Sequence, residues 1–287
     1  MSVLKWAVCL FIACNIPAAR GGVLIESGEK IAFLGDSVTI GDRNGCYTWL
    51  VVEGLKANGI DIVPIKQVND GIHMHTSREL VANFEKELLA QKPAWLALNL
   101  GSEDVERGSN GGVNLEDYRK NIMDIVTKTQ AAGIKVMILT ATMIGEDPQS
   151  EKNKELIPYN DFLRQLAQQK NCLFADLNGQ MQRALAEYRR QFTTPIPSIP
   201  LFTTDGVRTN PFGSAVMARG ILTAFGLDPD QIEKARKSWS AIPDAGGVNF
   251  AVTIGQYEEL ESKARQKGKS LQQYIEVKVQ SIVSTPD

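Results

Sequence analysis

From Lys30 to about Phe225 the chain alternates short apolar runs with longer amphipathic stretches, and this alternation restricts its fold more than any other feature. KIAFLGDS, IDIVPIKQ, AWLALNLG, IKVMILTAT and CLFADL read as five strands. IKVMILTAT is almost continuously apolar, as suits a strand buried on both faces. Between the runs lie helical stretches: residues 44–58, ended by Gly59; SRELVANFEKELLAQ, with Ser77 as candidate N-cap; NLEDYRKNIMDIVTKTQAAG, opened by Asn114 and closed by Gly133; and residues 156–169 and 178–190. A Pro-rich loop, TTPIPSIP, leads to a last helix capped by Asn210, with Pro211 at its first position. Strands alternating with helices imply a parallel sheet covered on both faces. Ligands of such sheets bind beyond the carboxyl ends of the strands. The turns GDSVTIGD, NDGIHMHTS and GSEDVERG are therefore the expected seat of chemistry.

The N-terminus, MSVLKWAVCLFIACNIPAAR, has one Lys, an apolar run and then small residues. That order predicts a signal peptide over residues 1–19 and a secreted or periplasmic protein. A buried N-terminal helix and lipidation at Cys14 are the competing readings, and Phe11 is a poor fit to a lipidation signal. The apolar run is short for a membrane span. Past residue 19, Cys46 and Cys172 remain, either as a disulfide or as two thiols. A net charge of −2 supplies no basic surface for nucleic acid.

FLGDSVTIGD, VNDGIHMHTS, LNLGSEDVERG, LTATMIGE and TTDGVRTNPFG follow one another at the expected strand ends. In these blocks residues 30–226 resemble the SGNH/GDSL hydrolase superfamily. The resemblance implies a flavodoxin-like three-layer α/β/α sandwich on a five-stranded parallel sheet, with the domain spanning 28–227. It also implies acyl-ester chemistry. Ser37 takes the place of the nucleophile, and a histidine three residues after an aspartate should take its proton. The Ser37 N–H, a glycine N–H after the second strand and an asparagine side chain after the third should hold the oxyanion.

Measured against that pattern, Ser37 and Asp205 are kept as a remnant of the triad. The glycine position is Met74, in a turn that also carries Gly71. The asparagine position, after Gly101, is Glu103, whose carboxylate should repel an oxyanion. The histidine position is Arg208, and a guanidinium stays protonated. Loss of a triad base costs on the order of 10⁴–10⁶ in rate. Glu103 and Arg208 carry opposite charges and face each other across the pocket that the resemblance implies, so an ion pair between them is expected. His73 and His75 lie in the strand-two turn as candidate replacement bases. With Glu103, Asp36 or Asp205 they could also ligate a metal, although no metal and no cofactor is expected. Asp36 and Asp104 are expected to hold turns. Trp49, Trp95 and Trp239 read as packing residues.

Residues 228–287 change character. DPDQIEKARKSWSAI reads as a helix and PDAGG as a break. From Asn249 the pattern is strand–helix–helix: Phe250, Val252 and Ile254 alternate, Tyr257, Leu260 and Ala264 share a helix face, Gly268 stops that helix, and Ser270 with Gln273 forms a capping box. This stretch resembles a ribbon–helix–helix unit, which implies a homodimer. A helical hairpin docked on the main domain fits equally well. Asn249, Ala251 and Thr253, at the positions that would read DNA, are not basic.

Two functions remain in view. One is an exported pseudo-hydrolase that binds a small-molecule or glycan ester with little or no turnover. The other is an active ester hydrolase, such as a carbohydrate acetylesterase, using Ser37 with His73 or His75.

Overall fold

A computed structural model describes residues 22–39, 45–65, 75–191, 200–240, 254–269 and 271–283. The expected signal peptide with Cys14, the stretch carrying Gly71, His73 and Met74, residues 192–199 of the Pro-rich stretch, the 249–253 alternation and Ser270 lie outside the described residues. The chain divides into two compact units, Met1–Gly246 and Gly247–Asp287.

The larger unit is built on five parallel strands: β1 (Lys30–Gly35), β2 (Val63–Ile65), β3 (Trp95–Asn99), β4 (Lys135–Leu139) and β5 (Leu173–Ala175). Their order across the sheet is β2-β1-β3-β4-β5. This is the doubly wound, flavodoxin-like arrangement, whose switch point lies between β1 and β3. Side chains alternate between two cores, as a strand's two-residue period requires. Ile31, Phe33, Trp95, Ala97, Met137 and Leu139 enter one core. Ala32, Leu34, Leu96, Leu98, Val136 and Ile138 enter the other.

Helices α1 (Tyr47–Ala57), α6 (Leu177–Gln191), α7 (Pro211–Ala224) and α8 (Pro229–Ser240) cover the first face. Helices α2 (Ser77–Glu87), α4 (Leu115–Ala131) and α5 (Glu151–Gln169) cover the second. A short helix, α3 (Ser102–Glu106), follows β3.

Local signals set most helix ends. The Asn114 side chain accepts from the Asp117 N–H at 3.0 Å. Asn210 accepts from the N–H groups of Phe212 and Gly213 at 2.9 and 3.0 Å, ahead of Pro211. Two boundaries differ from the sequence reading. The cap of α2 is Thr76, because Glu79 reaches back to the Thr76 N–H at 2.6 Å, and Ser77 is thereby freed for a tertiary contact. Helix α5 begins five residues before 156, because Ser150 caps it and accepts from the Asn153 N–H at 3.3 Å.

The change in composition at 228 is not a packing boundary. Ala235 and Trp239 of α8 are buried in the first core, and the Trp239 indole N–H donates to the Leu50 carbonyl of α1 at 2.9 Å. In the smaller unit, α9 (Ile254–Gln266) and α10 (Leu271–Val283) pack together, and Gly268 between them has φ +64°. Ile254, read from its alternation as a strand position, is the first residue of α9. Cys46 and Cys172 are not joined to each other: Cys46 Sγ lies 3.2 Å from the Thr48 hydroxyl, and burial pushes the Cys172 thiol up to about 11.

Trp239→Ala should destabilise the larger unit by about 3–5 kcal/mol, the usual cost of truncating a buried aromatic. Urea unfolding followed by far-UV circular dichroism measures it. A loss under about 1 kcal/mol would place α8 outside the core.

Candidate functional site

The register of β1 and β3 pairs Gly35 with Asn99, so both strands end level and their following turns lie side by side. Gly35 has to be glycine: a Cβ there would approach the Thr39 hydroxyl and the Asn99 carbonyl at 2.0 and 2.4 Å. The chain then tightens into a turn over Asp36–Thr39, closed by the Thr39 N–H on the Asp36 carbonyl at 2.9 Å. The Asp36 side chain is buried and accepts from the Val38 N–H at 3.1 Å. Tyr47 holds the far end of the turn, its hydroxyl 2.9 Å from that of Thr39. Ser37 stands at the top of this turn, 8% exposed.

The second wall comes from β3. Gly101 adopts φ +133°, a backbone state open to glycine, and the chain winds directly into α3. That winding turns Glu103 toward β1. The Ser37 hydroxyl donates to Glu103 Oε1 at 2.9 Å. Glu103 is only 5% exposed, and its other oxygen faces Arg107 Nε at 3.4 Å. Arg107 reaches on to Glu79 at 3.5 Å. Asp104, the next residue, turns the other way. It accepts from the Ser77 N–H at 3.0 Å and from the Ser77 hydroxyl at 2.5 Å, tying α3 to the start of α2.

Three buried carboxyl groups, Asp36, Glu103 and Asp104, thus lie close enough to feel one another's charge. Burial pushes Asp36 up to about 7; the Val38 N–H opposes this, and the charges of Glu103 and Asp104 add to it. Burial likewise pushes Asp104 up to about 6 against its hydrogen bonds from Ser77. Among the described residues, nothing hydrogen-bonds to Asp36 Oδ2, to the side-chain polar atoms of Asn99 or to the hydroxyls of Ser102 and Thr142.

A third element, the loop before α7, carries Asp205 and Arg208. Glu146, after β4, anchors it by accepting from the N–H groups of Leu201, Phe202 and Thr203 at 2.6, 2.5 and 3.1 Å. The Gly145 N–H adds a bond to the Gly206 carbonyl at 2.5 Å. Asp205 Oδ1 accepts from the Val207 and Arg208 N–H groups at 3.1 and 2.8 Å. Its other oxygen takes the Arg208 guanidinium, with Nε at 2.9 Å. Both side chains are largely in solvent, 42% and 63% exposed.

The expected Glu103–Arg208 pair does not form. Asp205 lies three residues from Arg208 in the same turn and captures it, while Glu103 is committed inward to Ser37 and Arg107. Asp36 holds its turn, as expected, whereas Asp104 ties α3 to α2 rather than bracing its own loop. His75 is half-buried, and among the described residues its Nδ1 has no hydrogen-bond partner. Among the described residues, no group of three or more His, Cys, Asp or Glu side chains could hold a metal ion. Sequence reasoning overlooked Arg107 and Glu146. The one signal for Arg107 was its spacing of four from Glu103, which carries meaning only on a helix.

The profile of the GDSL-like Lipase/Acylhydrolase family matches residues 33–196. The chain belongs to that family. An acetylxylan esterase of Geobacillus stearothermophilus is 27% identical over 222 residues, 71% of this chain and 97% of that enzyme. Its crystal structure superposes with a TM-score of 0.61 at 26% identity, over the same shares. Solved catalytic mutants of that esterase carry alanine in place of a serine, of an aspartate, and of a histidine three positions after the aspartate. The family member described here has Asp205 and Arg208 at that spacing. A lipoprotein of Bacillus subtilis, YqeF, is 24% identical over 152 residues, half of this chain and 59% of its own length. An α/β hydrolase from the metagenome of Lake Arreo, at 24% identity and a TM-score of 0.61, shares the fold.

An acid whose folded pKa is raised stays protonated in the native state while the unfolded chain ionises. Asp36 should therefore contribute stability that is full below about pH 4 and is lost as pH rises toward about 7. Asp36→Asn keeps the acceptor for Val38 and cannot ionise. Its unfolding free energy relative to wild type should rise by a few kcal/mol, as an order of magnitude, between pH 4 and pH 8. Denaturant titrations at both pH values test the sign.

Proposed function

We propose that this protein is an exported member of the acylhydrolase family that binds an acylated glycan, or a similar small ester, over Ser37. In this reading it has lost the histidine-driven turnover of its relatives. The observation that carries the proposal is the Arg208–Asp205 pair at 2.9 Å. A guanidinium cannot accept the serine proton. The aspartate that would orient an imidazole is engaged by that guanidinium and by two backbone N–H groups. The serine hydroxyl is instead held by a carboxylate.

The ligand class rests on the resemblance to an acetylxylan esterase across nearly that enzyme's full length. Export rests on the N-terminal leader pattern, and one relative is a lipoprotein. No described helix is long and apolar enough to cross a membrane. A second reading, ester hydrolysis with His73 or His75 as base, draws on the buried Nδ1 of His75, which has no partner among the described residues.

Hydrolysis of 4-nitrophenyl acetate should fall well below the ~10⁴ M⁻¹s⁻¹ at which ordinary enzymes begin. Acetylated xylo-oligosaccharide should nonetheless bind, as read by calorimetry. The double variant Arg208→His with Glu103→Asn should gain at least about 10-fold in turnover, because it reinstates a base and an oxyanion donor each worth about 10² or more. Adding Ser37→Ala should abolish that gain. Brisk wild-type turnover would overturn the proposal.

A further inference from the structure

We infer that Glu103 is the general base for Ser37, a carboxylate serving a slow residual acyl transfer in place of the missing histidine. The inference rests on the ester-binding reading of the pocket. Its geometry is direct: the Ser37 hydroxyl donates to Glu103 Oε1 at 2.9 Å, within the range required of a base and the proton it removes. Both groups are nearly enclosed, at 8% and 5% exposure, so solvent competes little for the contact. Arg107 faces the second oxygen at 3.4 Å and turns the first toward Ser37. It orients Glu103 as an aspartate orients a histidine, but a cation favours the ionised form of its partner, whereas the aspartate favours the protonated form. Arg107 is itself held between two carboxylates, Glu103 and Glu79.

The proton balance also removes the objection to an acid at this position. Ser37 Oγ attacks the acyl carbon as its proton passes to Glu103 Oε1. The ester carbonyl becomes an oxyanion in the same step that makes Glu103 neutral. The carboxylate that would repel the oxyanion is then a carboxylic acid, whose O–H is a donor beside it, and a neutral acid is an established form of oxyanion donor. When the tetrahedral centre collapses, the carbon–oxygen bond to the leaving alcohol breaks and the alcohol takes that proton. Glu103, again ionised, takes a proton from water as the water oxygen attacks the acyl-serine. The proton returns to Ser37 Oγ as the carbon–Oγ bond breaks. Ester and water become acid and alcohol, and both residues are restored. An ordinary carboxylate is about two pKa units less basic than an imidazole, so such a route is slow.

The test measures labelling of Ser37 by an alkyl fluorophosphonate, read by mass spectrometry, alongside 4-nitrophenyl acetate turnover. Glu103→Gln keeps the size and the acceptor oxygen but cannot take a proton. It should lower both rates by at least about 10², the low end for loss of a general base. Glu103→Asp keeps a carboxylate and should retain more of both rates than the glutamine variant does. Should Glu103→Gln fail to fold, Glu103→Asp decides alone: measurable labelling supports the base, and a loss equal to that of Ser37→Ala overturns it. The inference is also overturned if Glu103→Gln reacts as fast as wild type or faster, since the carboxylate would then only repel. It is likewise overturned if His73→Gln with His75→Gln abolishes labelling while Glu103→Gln does not. Wild-type protein that binds acetylated xylo-oligosaccharide without labelling or turnover removes the base and leaves the ester-binding reading intact. Protein that neither binds nor labels removes both.

Discussion

The site depends on one hydrogen bond, from the hydroxyl of Ser37 to the carboxylate of Glu103, made across the level ends of two parallel strands. Parallel pairing sets the height of those ends, and two backbone features place the side chains. Gly35 admits a turn too tight for any Cβ, and Gly101 turns the chain straight into α3. Neither feature involves the side chains of Ser37 or Glu103 themselves. The bond is short because the turns are adjacent, and it is enclosed because α3 covers it.

Charge in the pocket is arranged as two local pairs rather than one pair spanning it. Arg107 answers Glu103 from one helical turn away, and Arg208 answers Asp205 from within the same loop. A long side chain pairs most readily with the partner whose position the backbone already fixes, since less freedom is lost in making the contact. The consequence is a split site. Asp205 and Arg208 lie largely in solvent, while Ser37 lies inside with Glu103. Asp36 and Asp104, raised to about 7 and 6, complete a crowded interior in which a proton is more easily kept than lost.

Much of this was legible beforehand because strands and caps leave strong local traces. The five apolar runs named the five strands, and Asn114, Asn210 with Pro211, and Gly133 marked helix ends where the structure has them. Ser37, Asp36, Asp205 and Arg208 were singled out through the family resemblance that the motif blocks carry. Other features left weaker traces. Helix α3 is too short to show a period, so SEDVE read as loop and Arg107 escaped notice. Thr76 and Ser77 are adjacent and equally good caps by type, and the tertiary demand of Asp104 for Ser77 separates them. Residues 229–240 looked foreign by composition, but the burial of Trp239 makes them part of the core.

By itself, the sequence determined that a permanent cation stands three residues after Asp205. Arg208 cannot accept a proton there whatever the fold does, because a guanidinium's charge is a property of the side chain. The tertiary structure alone decided where the charge of Glu103 would go. A carboxylate can repel, pair with a cation or accept from a hydroxyl. The choice is set by which atom lies within 3 Å, and that distance is fixed by strand register and helix onset rather than by residue type.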